Sequence, residues 1–129
     1  MAIPKLSYFD LEYLGEPIRL TYKISGVNFE DNRVSFADWP AFKEQCPNGQ
    51  MPVLEIDGKK YTQTFAILRM LGNQNGMYPS DAEKQYDVDE IIDLTEDVRK
   101  LESTPFYVGM RPERFGYEEK TPEERAAIS

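Results

Sequence analysis

The stretch whose residue types could do chemistry is Gly49-Gln50-Met51-Pro52-Val53-Leu54-Glu55-Ile56-Asp57-Gly58, followed by Gln63-Thr64. A polar loop runs into a proline, the proline opens an apolar strand, and Asp57-Gly58 turns that strand back through Lys59-Lys60-Tyr61. Proline is tolerated at the first residue of a strand, where no ladder bond asks for its missing N–H. An X-Pro bond is also the kind for which cis is cheap, about 0.5–1 kcal/mol above trans. A cis bond at Met51-Pro52 turns the N–H and C=O of Met51 outward, an edge to which an extended peptide can add by main-chain bonding. A trans bond makes the same residues an ordinary hairpin, and the residues alone leave both readings open.

Little else in the chain is reactive. It has one cysteine, Cys46, and no histidine, which removes the usual zinc sites and every histidine-based triad, so no metal is expected. An internal disulfide is excluded, and a reducing compartment fits. Cys46 has only Lys43 nearby to activate it and reads as structural.

Positioning these residues requires the elements around them. Lys5–Phe9 alternates and is rich in aromatics, as a short strand would be. From Glu12 to Ser25, Leu14, Ile18 and Tyr22 recur at helical spacing and Gly26 supplies a stop. Pro17 fits only the first turn, so the helix proper should begin near Glu16. Asn28–Val34 predicts a second strand, and Asp38–Gln45 a short helix capped by Asp38. Thr62–Asn75 predicts a third helix, apolar nearly all round with Arg69 as its single charge, and so covered on more than one side. The order β-α-β-α-β-β-α implies a small mixed sheet with helices on both faces.

Gly76–Asp81, with Pro79, reads as a linker, giving a first domain over 1–76, a linker over 77–81 and a helical segment over 82–129. Within the last, Ala82–Leu101 predicts a long helix with Val88, Ile91, Thr95, Val98 and Leu101 on one stripe and an acidic opposite side. Thr121-Pro122-Glu123-Glu124 carries the signature of a helix start. About one turn follows, so the expectation is the first part of a longer protein, or a truncated relative of one.

With 129 residues, 40% apolar and 29% charged, the composition is that of a soluble globular protein. The net charge of −8 and the lack of a basic run argue against nucleic acid or an anionic membrane as partner. No long apolar run suggests a signal or a membrane span, and the default location is cytoplasmic.

Several separated motifs together resemble the glutathione-binding half of a cytosolic glutathione S-transferase. They are Tyr8-Phe9, Asp38-Trp39-Pro40 with Lys43, Gly49 to Glu55, Asp57-Gly58, and Gln63-Thr64 with Ala66, Ile67 and Arg69. The sigma-like class, with glutathione-dependent prostaglandin D synthase and the S-crystallins, is the nearest in pattern, and the resemblance covers roughly Lys5 to Leu101. It implies a thioredoxin-like α/β domain followed by the first part of an all-helical one, and glutathione as co-substrate. It also implies that Tyr8 is the catalytic residue, whose hydroxyl donates to the glutathione sulfur and so favours the thiolate. Trp39 and Lys43, donors only, would take the glycine carboxylate. Gln50, Met51 and Pro52 would bind glutathione, with Met51 pairing its backbone to the cysteinyl unit. Gln63 and Thr64, at a helix start, would take the γ-glutamyl carboxylate. Asp97 matches the position from which a neighbouring subunit reaches the γ-glutamyl amine, implying a homodimer through the third and fourth helices.

Two positions depart from the pattern: Glu12 and Leu14 stand where the family usually carries arginines. Losing a cation beside the developing thiolate could cost on the order of 2–4 kcal/mol in the barrier. The resemblance therefore implies a glutathione transferase that conjugates electrophiles, with isomerase or peroxidase side activity possible. The alternative is a non-catalytic structural or assembly subunit with the same fold, part of a larger protein assembly.

Overall fold

The computed structural model describes residues 2–110 and 121–127. Residues 1–81 and 82–129 form two compact units.

The first unit is built on a four-stranded mixed sheet in the order β2-β1-β3-β4. Strand β1 (Lys5–Phe9) pairs parallel with β2 (Glu30–Val34) and antiparallel with β3 (Val53–Ile56), which pairs antiparallel with β4 (Lys59–Thr62). A parallel pair needs a crossover, supplied by α1 (Glu16–Ser25). Pro17 sits in its first turn, and Gly26 closes it at φ 68°, a left-handed conformation that costs glycine nothing. The β3–β4 turn is equally local. Asp57 and Gly58 both have positive φ, 49° and 80°, as a two-residue turn matching strand twist demands.

Leu6 of β1 and Leu54 of β3 face each other in register. With Ile18 and Tyr22 of α1 and Ile67 and Leu71 of α3 (Thr64–Gln74), they form the buried core. Thus α1 and α3 cover one face of the sheet. Helix α3 also has Phe65, Leu68, Arg69 and Met70 half-buried, in keeping with the cover expected of its composition. Helix α2 (Trp39–Lys43) and the turn after it serve the other face, where Cys46 lies beside Ser7, Val53 and Lys60. This is the thioredoxin-like arrangement.

Two expectations need correcting. Asp38 makes no side-chain cap on α2; the Ser35 hydroxyl accepts the Asp38 N–H at 3.1 Å and donates to the Asp38 carboxylate at 2.9 Å, so the capping role moves three residues upstream. In the second unit, α4 runs from Ala82 to Met110, through Pro105, instead of ending at Leu101. Along it Ile91, Val98 and Leu101 are exposed, while Val88, Ile92, Glu96 and Arg99 are half-buried. A short α5 (Pro122–Ala126) opens with the reciprocal box read from sequence: Glu124 N–H donates to the Thr121 hydroxyl and Thr121 N–H to the Glu124 carboxylate.

Candidate functional site

Tyr8 lies two residues after Leu6 on β1, so its side chain takes the same face as the core, toward α1. It is 4% exposed. The chain leaving β1 passes through a single 3-10 turn, Tyr13–Gly15, pressed against the ring. A Cβ on Gly15 would stand 2.3 Å from Cδ1 of Tyr8, so glycine is what allows the backbone this close. That approach brings the Leu14 N–H to the Tyr8 hydroxyl, to which it donates at 3.2 Å. One lone pair of the phenol oxygen is thereby fixed, and with it the plane in which the O–H can point.

Arg19 stands behind the ring. Its guanidinium carbon is 5.7 Å from the ring centroid and its side chain is fully buried. It donates to the carbonyls of Phe9 and Leu11 at 2.9 and 2.6 Å, and to the carboxylates of Glu16 and Asp31 at 3.1 and 3.0 Å. A buried cation so fully used ties the end of β1, the following loop, α1 and β2 together around Tyr8.

The other residues read from the sequence converge in part. Trp39 is half-buried with its ring edge-on to Phe9 at 5.3 Å, and Phe9 is 5.7 Å from the Tyr8 ring, so the start of α2 is joined to the end of β1 by aromatics. Lys43 is exposed and runs alongside Gly49, its Cε 3.5 Å from where a Cβ there would sit. Gln50 is exposed, Met51 half-buried and Pro52 buried. The Met51-Pro52 bond is cis, and Met51 precedes β3 without joining the sheet. Gln63 is exposed at φ 72°, ψ 109°, a conformation rare outside glycine. Such a strained residue marks a site in which the surroundings dictate the backbone.

The start of α3 carries no side-chain cap and no acidic residue in its first turn, so its leading N–H groups and dipole are available to an anion. Thr64 follows at the first position of the helix. It is 5% exposed, and its hydroxyl donates to the Leu14 carbonyl at 3.1 Å. Asp97 is exposed on α4, in the second unit. Glu12 is exposed and Leu14 half-buried.

Cys46 is apart from these groups, on the opposite face of the sheet. Burial pushes its thiol up, Lys60 offsetting part of the shift, and Sγ donates to the Phe42 carbonyl. No cluster of histidine, cysteine and acidic residues among the described residues could hold a metal ion, and no helix there is long and apolar enough to cross a membrane.

Three contributors to the site escaped sequence reasoning: the Leu14 amide, Gly15 and Arg19. A backbone donor has no residue-type signal. Arg19 had one, since it follows Ile18 and precedes Tyr22 by three, on the buried side of α1.

Residues 4–73 match the family model for the glutathione S-transferase N-terminal domain. The chain is 46% identical over 92 residues to glutathione S-transferase 2 of Manduca sexta, covering 71% of this chain and 45% of the relative. It is 46% identical over 93 residues to glutathione S-transferase 1 of Ascaris suum, covering 72% and 45%. The chain thus spans about half the length of the curated relatives it matches. Among solved structures, prostaglandin synthase D of Nilaparvata lugens superposes with a TM-score of 0.76 at 35% identity, covering 98% of this chain and 58% of that one. The glutathione S-transferase of Ascaris lumbricoides does so with a TM-score of 0.78 at 40% identity, covering 95% and 58%.

Proposed function

The chain belongs to the glutathione S-transferase family, and from that premise we propose that it binds glutathione along the edge beside Met51-Pro52 and turns the thiol into a thiolate at Tyr8. The observation that carries this reading is the Leu14 N–H bond to the Tyr8 hydroxyl at the buried end of β1. A phenol held by an amide donor can donate its own proton to sulfur, and a hydrogen bond to the charged form lowers the thiol pKa. The γ-glutamyl carboxylate then lies at the uncapped start of α3, near Gln63 and the Thr64 amide, where N–H groups and the dipole favour an anion. The glycine carboxylate lies between Trp39 and Lys43, and Gln50, Met51 and Pro52 border the cysteinyl unit, Met51 through its main chain. The thiolate attacks an electrophilic carbon, the leaving group departs with its electron pair, and the thiol proton passes to solvent.

Likeness to prostaglandin synthase D of Nilaparvata lugens supports placement in the sigma-like class. A homodimer in which the partner's copy of Asp97 meets the γ-glutamyl amine completes the proposal, with a role in cytoplasmic detoxification. Titrating glutathione into the chain by calorimetry, beside Tyr8→Phe, tests it. Binding by both, with the ultraviolet absorbance of the bound thiolate lost near neutral pH in the variant alone, is the expected result. Equal thiolate in both would remove Tyr8 from the chemistry. Binding without detectable thiolate in either would favour the structural or assembly subunit, for which Glu12 and Leu14 are the motivating residues.

A further inference from the structure

The chain holds two Asn-Gly pairs, Asn48-Gly49 and Asn75-Gly76, and neither asparagine has a role in the site described above. In such a pair the amide nitrogen of glycine, unhindered by a side chain, can attack the asparagine side-chain carbonyl. Both glycines have left-handed φ, 65° and 70°, so they do not distinguish the pairs. The asparagines do. Asn75 is half-buried at the end of α3, where its Nδ2 donates to the Leu71 carbonyl at 2.8 Å and its main-chain N–H to the same oxygen at 3.0 Å. For attack at Asn75 the side chain must leave Leu71 and the helix end must fray. Asn48 is exposed, and its side chain makes no hydrogen bond among the described residues. Its turn is closed by the Gly49 N–H donating to the Cys46 carbonyl at 3.2 Å, and a single bond in an exposed turn opens locally at little cost.

We infer that Asn48 is a site of spontaneous deamidation that weakens glutathione binding, and that the end of α3 protects Asn75 from the same reaction. The Gly49 nitrogen gives its proton to base and bonds to the Asn48 side-chain carbonyl carbon; the side-chain nitrogen leaves as ammonia and a cyclic imide remains. Water then opens the imide at either carbonyl, giving aspartate or, with the main chain rerouted through the side chain, isoaspartate. Both products place a carboxylate beside Gly49, along which Lys43 lies, its Cε 3.5 Å from where a Cβ on that glycine would sit. Lys43 makes no ion pair among the described residues, so the new carboxylate competes for the ammonium assigned above to the glycine carboxylate of glutathione. Isoaspartate also adds a carbon to the main chain just before Gln50 and Met51. The effect on binding rests on the glutathione reading above; the reaction at Asn48 does not.

The test holds the full chain in warm, mildly alkaline buffer, folded and in urea. Peptides carrying positions 48 and 75 are followed by mass spectrometry, with fragmentation that separates aspartate from isoaspartate. In the folded chain Asn48 should convert about tenfold or more faster than Asn75, the worth of the bonds that hold Asn75, and in urea the two should convert at similar rates. Glutathione affinity by calorimetry should fall up to about fivefold in Asn48→Asp, the worth of one exposed ion pair, and further in aged wild type that carries isoaspartate. Asn48→Gln, whose longer side chain disfavours ring closure, should keep its starting affinity throughout the incubation. Equal rates at the two positions in the folded chain, or Asn75 the faster, would overturn the assignment of Asn48. Conversion of Asn48 with affinity unchanged, or an equal loss of affinity in aged Asn48→Gln, would overturn the effect on binding. A fresh wild-type chain that does not bind glutathione defeats the function proposed above, and the two conversion rates then decide the modification alone.

Discussion

Replacing Arg19 by methionine should cost roughly 3–5 kcal/mol, the usual cost of breaking a buried ion pair from one side. The figure follows from what the guanidinium holds. Methionine fills most of the volume of the arginine stem, so the loss is polar and not a cavity. The carbonyls of Phe9 and Leu11 lose their donor, at about 1–3 kcal/mol each where no water reaches them. The carboxylates of Glu16 and Asp31 are 24% and 27% exposed, so water recovers part of their solvation and their share is discounted. Typical domains have only about 5–15 kcal/mol in all, so the variant should stand near the limit of folding. Asp31→Asn is the informative partner. It keeps an oxygen for Arg19 Nε and removes one charge, and should cost about 1 kcal/mol. Urea unfolding followed by fluorescence reads both, because Trp39 is the chain's single tryptophan and packs on Phe9 beside the affected strand end. A loss below about 1 kcal/mol for Arg19→Met, or equal losses for the two variants, would refute the view that Arg19 secures the end of β1.

Further outcomes follow from neighbouring observations. The Tyr22 hydroxyl is buried with no hydrogen-bond partner among the described residues, so Tyr22→Phe should stabilise the protein by about 1 kcal/mol in the same urea experiment. Burial also pushes its phenol up to about 12, from 10 in the unfolded chain. The folded state therefore keeps a proton that the unfolded state releases, the wild type loses stability as pH rises from 10 to 12, and the variant's advantage should widen there by up to ~2–3 kcal/mol; a constant difference would contradict the burial argument. Gly15→Ala should destabilise by about 1–3 kcal/mol and speed Leu14 amide exchange, since its Cβ would fall 2.3 Å from the Tyr8 ring; unchanged exchange would show that the loop has room to yield. Cys46 should resist alkylation at neutral pH until urea unfolds the chain, because burial both covers the thiol and disfavours the thiolate; rapid labelling of the folded protein would reverse that reading.

Local chemistry is what the sequence made legible. Pro17 marked where α1 begins, Asp57-Gly58 marked a two-residue turn with positive φ at both positions, and Pro52 marked the entry of β3. Each is decided by the backbone preferences of one or two residues, so no distant partner has to be known. The core followed from spacing, because Ile18 and Tyr22 or Ile67 and Leu71 lie one helical turn apart. What stayed hidden depends on pairs far apart in sequence. Thr64 and Leu14 are separated by 50 positions, so nothing local in the sequence announces the bond between them. Spacing puts Arg19 on the buried side of α1, but the partner that makes its burial tolerable, Asp31, lies on another element.

Glu12 and Leu14 pose the sharper question, since the family pattern places arginines there. The structure separates what a side chain gave from what the backbone gives. The donor to the Tyr8 oxygen is the Leu14 amide, and an amide is indifferent to whether its residue is leucine or arginine. On the resemblance, what leucine removes is a cation close to the place proposed for sulfur. Arg19 supplies a cation behind the ring instead, at 5.7 Å from its centroid and shielded from salt by burial. The two locations are not equivalent. A charge behind the ring polarises the phenol and strengthens it as a donor, whereas a charge beside sulfur stabilises the thiolate directly and at shorter range. Two carboxylates already neutralise Arg19, so its net field at sulfur is further reduced. On the function proposed here, the amide contact that orients the donor is kept and direct charge stabilisation is not. On that balance the chain should ionise bound glutathione through Tyr8, but less completely than a site that also carries the arginine at position 14.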